Sequence, residues 1–153
     1  MRESLEEAKQ ELKRAEHLLF VSLKYTRTIE VLSSILNRLL SFYDRIIDLL
    51  LKYAKEKKKL NFEVPKSSGL RVNMIKEMFL EDERILEEMD FYLLLRRIIR
   101  SEKRAFSEYR RHVALIVTIN GEELVINIDK ISEYYKRAQS FFEYIKEKYV
   151  DSE

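Results

Sequence analysis

The sequence predicts a mainly α-helical domain, a bundle of four to five helices with one β-hairpin at about residues 112–128 packed on the helices. Three observations carry that prediction. Residues 2–59 contain neither Gly nor Pro and repeat apolar side chains at spacings of three and four. Only two Gly and one Pro occur in 153 residues, so the chain is poor in turns. Late in the chain, two β-branched runs flank Asn120-Gly121, the strongest short hairpin signal, because both residues tolerate the positive φ of a type I′ turn.

Taken in order, Ser4-x-x-Glu7 reads as a capping box opening a first helix whose Leu5, Ala8, Leu12, Ala15 and Leu19 share a face. The β-branched and hydroxyl residues in Tyr25-Thr26-Arg27-Thr28 end it near Lys24, and a second helix runs to about Lys59. That second helix carries Leu32, Ile35, Leu36, Leu39, Tyr43, Ile46, Ile47, Leu50 and Tyr53, which makes it the central element of the bundle. The main loop is Leu60–Leu70, with Pro65 and Gly69. A short helix is expected over about Val72–Leu80, and another from near Asp82 to a break near Ser101.

The two-residue hairpin loop fixes the strand register as Ile119 with Glu122, Val117 with Leu124, Leu115 with Ile126 and Val113 with Ile128, an apolar face that must pack on helices. The other face pairs Thr118 with Glu123, Ile116 with Val125 and Ala114 with Asn127, and is mixed. Asp129 is expected to cap a last helix reaching about Tyr149. Residues 1–153 therefore read as one domain, long enough to bury roughly 70% of its unfolded surface without metal or disulfide staples.

Composition narrows the chemistry. With no Cys, thiolate nucleophiles, iron–sulfur clusters, zinc knuckles and disulfides are excluded, and only His17 and His112 remain as neutral nitrogen ligands. Two Gly cannot build a glycine-rich phosphate loop. The adjacent carboxylates Glu6-Glu7 and Glu87-Glu88 point apart around a helix and read as solvated faces. No metal or cofactor is expected, and no catalytic motif is complete. No segment offers about 18 uncharged apolar residues, so no membrane partner is expected and the predicted location is cytoplasmic. Heavy use of Lys, Glu and Arg with few Gln matches the composition expected of hyperthermophile proteins.

Net charge is only +2, so any polyanion partner must be met by a local patch. The sharpest patch holds Arg96, Arg97, Arg100, Lys103, Arg104, Arg110 and Arg111 against Glu102 and Glu108, with Phe106 and Tyr109 interleaved, and a second basic run over residues 52–59 reads as a helix end. Cations neutralise phosphates while aromatic rings stack on bases, so this pattern suits single-stranded RNA. The same arginines also suit a helix C-terminus, or ion pairs with the acidic run Glu77, Glu81, Asp82, Glu83, Glu87, Glu88 and Asp90. Within the patch, His112 as general acid or base and Arg104 as charge stabiliser are the candidate catalytic pair for metal-independent RNA cleavage.

The opening helical pair, beginning Leu12-Lys13-Arg14-Ala15-Glu16 and continuing Val21-Ser22-Leu23-Lys24-Tyr25, resembles the HEPN-type helical bundles of archaea and bacteria. Over roughly the first 100 residues the resemblance implies an RNase or an inactive relative that dimerises across the bundle. The family signature places a His four to six residues after an Arg. This chain departs from it, with seven residues between Arg104 and His112. The leading expectation is thus a non-enzymatic interaction protein, homodimeric or bound to a protein partner through Ile116, Val125 and two strand edges that no Pro blocks. RNA binding is the alternative.

Overall fold

The computed structural model describes residues 1–152. Helix α1 (Arg2–His17) continues through a π-helical turn (Leu18–Ser22) and a last α turn (Leu23–Tyr25). Helices α2 (Ile29–Glu56), α3 (Ser68–Met78) and α4 (Glu83–Arg100) follow, and then strands β1 (Arg104–Phe106), β2 (Ala114–Ile119) and β3 (Glu122–Asn127). Helix α5 (Ile128–Ile145) ends in a π-helical turn (Lys146–Val150). The molecule is a five-helix bundle carrying a small antiparallel sheet of strand order β1-β2-β3.

Helix α2 is central because its apolar stripe is too wide for one neighbour. Leu32, Ile35, Leu36, Leu39, Phe42, Tyr43, Ile46, Leu49, Leu50 and Ala54 are fully buried, and the helix packs against α1, α3, α4 and α5. Its Tyr43 ring stacks on Phe141 of α5 with centroids 5.8 Å apart. Phe91, which falls off the sequence stripe of α4, is nonetheless buried, edge-on to Tyr43 and Tyr134.

Helix starts follow the capping side chains, and these correct several boundaries. Thr28 Oγ1 accepts from the Val31 amide at 3.3 Å and starts α2 where the expected break lies. Ser67 caps α3 through the Leu70 amide, so this helix begins at Ser68 and not near Val72. Asn127 caps α5 through the Lys130 amide at 2.8 Å, replacing the expected Asp129. At the other end of the chain α1 begins at Arg2, and Ser4 is no cap: its buried hydroxyl accepts from Lys52 Nζ at 3.0 Å.

The hairpin has the expected register from Ile119–Glu122 to Ala114–Asn127, with Asn120 at φ 53° and Gly121 at 80° as a type I′ turn requires. Val113 and Ile128 do not pair, because Ile128 already belongs to α5. Leu115, Val117 and Ile126 are buried against the bundle. The sheet holds a third strand that the sequence pattern does not announce, since β1 pairs Arg104 with Ile116 and Phe106 with Ala114. The edge of β2 is therefore covered from within the chain, and the edges of the sheet are the short β1 and the longer β3.

Polar groups inside the bundle are tied together. Glu88, expected on a solvated face, is 2% exposed, with Tyr43 donating its hydroxyl at 2.6 Å and Arg137 its Nε at 2.7 Å. Asp82, the α4 cap, accepts from the hydroxyls of Tyr144 and Tyr149 and from Lys148 Nζ, which anchors the end of α5. Tyr92 donates to Asp44, and Tyr135 donates to Glu16.

Candidate nucleic-acid interface

The basic stretch divides into residues with structural partners and residues without. Lys103 turns back, donating to the carbonyls of Ile99 at 2.6 Å and Ser101 at 3.1 Å, so it closes α4 and leaves the candidate surface. Arg97 donates to the side-chain carbonyl of Asn120 at the hairpin tip. Arg96 lies over the Tyr92 ring, and Arg104 reaches across the sheet to Glu123 at 3.0 Å. Arg100, Arg110 and Arg111 make no side-chain hydrogen bond or ion pair among the described residues.

The acidic run does not neutralise them. Glu81 pairs with Lys58, Asp82 with Lys148, Glu88 with Arg84 and Arg137, and Asp90 with Lys76. Glu108, inside the basic stretch, is engaged by the amide of Ile29 at 3.3 Å, where it adds a second cap to α2. A second cationic cluster shows the contrast. Arg14 and Arg38, which share a groove with His17, both pair with the largely buried Glu11.

The loop after β1 shapes the rest of the surface. Ser107 and Tyr109 hold positive φ of 51° and 63°, and the Tyr109 amide donates to the Arg27 carbonyl at 2.6 Å. This winding leaves Tyr109 76% exposed and Phe106 56% exposed beside the unpaired arginines. Phe106, Arg111, His112, Val125, Asn127 and Asp129 line a cleft of about 540 Å³ on the outer side of the sheet. The structure thus brings Arg111, and not Arg104, to the cleft with the exposed His112. Of the two expected interface residues, Val125 is 46% exposed, and Ile116 is half-buried between Arg104 of β1 and Val125 of β3.

Arg96, Arg97 and Arg100 face a different groove, of about 570 Å³, against Lys66 and the start of α3. The sequence alone hides this neighbour, because Lys66 lies thirty residues before Arg96. Among the described residues no group of His, Asp and Glu is arranged to hold a metal, and no helix is long and apolar enough to cross a membrane. No protein-family model, curated protein or solved structure matches the chain.

Proposed function

We propose that the surface built from residues 96–112 binds single-stranded RNA. The observation that carries this reading is unneutralised charge beside exposed rings: Arg100, Arg110 and Arg111 have no acidic partner among the described residues, and Phe106 and Tyr109 stand open next to the last two. Cations along a strand contribute affinity whatever the sequence, and each exposed ring offers a base a stacking platform. The test is a titration of fluorescent mixed-sequence single-stranded RNA read by anisotropy at two salt concentrations. Micromolar or tighter binding that weakens steeply with salt is expected, and no binding at low salt overturns the reading. The same samples run on a gel test HEPN-like cleavage, for which Arg111 and His112 are the pair in the shared cleft.

A second reading rests on the outer sheet face, where Phe106 and Val125 are exposed on either side of Ala114 and Ile116. Self-association would cover these side chains and the open edge of β3. Under this reading Val125→Lys converts a dimer to a monomer in light scattering, and an unchanged mass overturns it.

A further inference from the structure

The groove between α3 and the end of α4 differs from the rest of the basic surface in drawing its cations from two separate segments. Lys66 comes from the 60–70 loop, and Arg96, Arg97 and Arg100 come from the last turns of α4. Its walls hold four cations and no carboxylate. Asp44, whose charge acts on Arg96, is already engaged by the Tyr92 hydroxyl at 2.6 Å. The remaining wall is Leu93 together with Ser67, Ser68 and Gly69 at the start of α3.

A volume of about 570 Å³ falls within the roughly 300–1,000 Å³ usual for pockets that hold a small ligand, so it has room for one compact anionic group. A phosphate monoester carries about −1.5 to −2 charges at neutral pH and three strong acceptor oxygens, whereas each internal phosphodiester carries a single charge. Of the four cations, Arg96 lies over Tyr92 and Arg97 holds Asn120, while Lys66 and Arg100 have no side-chain partner among the described residues and are left to answer the first. Arginine forks donate two parallel hydrogen bonds to such a group, and Leu93 offers apolar contact to whatever carries it.

We infer that this groove binds a phosphate monoester borne on a small organic group, either a free nucleoside monophosphate or the phosphorylated end of a nucleic-acid strand. Both sources present the same chemistry. The inference does not require the Arg110–Arg111 surface to bind RNA, and it survives the failure of that proposal.

The test measures binding of adenosine 5′-monophosphate, of adenosine, and of one RNA oligomer with and without a 5′-phosphate, all by calorimetry on the full chain. Adenosine 5′-monophosphate binding at least tenfold tighter than adenosine identifies a free nucleotide. The 5′-phosphorylated oligomer binding at least tenfold tighter than its 5′-hydroxyl form identifies a strand end. The absence of both preferences overturns the inference, and tight but equal binding of the two oligomers then leaves the RNA reading standing alone.

The decisive variant is Gly69→Asp. Gly69 has no positive φ, and an added Cβ meets only Ser67 Oγ at 3.7 Å, so the substitution fits. A carboxylate in the first turn also suits α3 itself. Gly69→Asp should therefore leave the melting temperature undiminished while weakening phosphate-dependent binding at least tenfold, and Arg100→Gln should weaken it as well. Unchanged phosphate preference in both variants places the ligand elsewhere and overturns the assignment.

Discussion

The helical bundle and the segment from Ser101 to Val113 handle charge in opposite ways. In the bundle, each buried carboxylate is surrounded: Glu88 by Tyr43, Arg84 and Arg137, and Asp82 by Tyr144, Tyr149 and Lys148. In the segment, Arg110 and Arg111 have no partner among the described residues, two non-glycine residues hold positive φ, and two rings lie open to solvent. Buried charge is tolerable only when paired and hydrogen-bonded, while unpaired charge is tolerable only where water screens it. The molecule therefore keeps its paired, buried charge and its unpaired, exposed charge in different places, and substitutions should separate their effects.

The largest effect is expected at Glu88. Glu88→Ala leaves the buried Tyr43 hydroxyl without its acceptor and the part-exposed Arg84 and Arg137 without their carboxylate, and should cost about 3 kcal/mol in denaturant unfolding. Asp82→Asn should cost about 2–3 kcal/mol by weakening the charge-assisted bonds from Tyr144, Tyr149 and Lys148. It should also change the response to acid. Burial alone would raise the Asp82 pKa, but the tyrosine hydroxyls, Lys148 and the Ile85 amide overcome that and hold it below the ordinary carboxylate range. A carboxylate with a lowered folded pKa contributes stability that is present above about pH 4 and is lost as pH falls through the folded value. Asp82→Asn should flatten that acid limb, and an unchanged limb would assign it to other groups.

Smaller effects on stability are expected in the segment, with larger ones on binding. Arg110→Glu with Arg111→Glu should change unfolding free energy by no more than about 0.5 kcal/mol. The same double variant should weaken RNA binding at least tenfold and lower the salt slope by about 0.7 for each phosphate that is no longer neutralised. Phe106→Ala should cost about 1–3 kcal/mol of RNA affinity and almost nothing in folding. A stability loss at Arg110 and Arg111 comparable to that at Glu88 would erase the contrast between the two regions.

Much of the bundle was legible because helix stripes and the Asn120-Gly121 turn are local signals. The hairpin register and the break at Thr26–Thr28 follow from residues adjacent in sequence. Strand β1 was not legible. Arg104-Ala105-Phe106 is too short and too polar to stand out, and it is extended because the outer edge of β2 is there to pair with it. Glu88 looked solvated because its partners are Tyr43, forty-five residues earlier, and Arg137, forty-nine residues later. The candidate site was legible in composition and not in layout. The interleaved arginines and aromatics named the surface, but sequence could not reveal that Lys103 caps α4, that Arg104 crosses to Glu123, or that Lys66 joins Arg96, Arg97 and Arg100 around one groove.

The loop between β1 and β2 is fastened to the far end of another element. Glu108 accepts from the Ile29 amide, and the Tyr109 amide donates to the Arg27 carbonyl, so the loop and the first turn of α2 share hydrogen bonds. Anything that grips Arg110 and Arg111 also steadies these bonds, and anything that pulls the loop away frays the start of the central helix. Amide hydrogen exchange at Ile29 and Tyr109 should therefore slow together when the surface is occupied, making the junction at Thr28 a reporter of binding at a loop some eighty residues further along the chain.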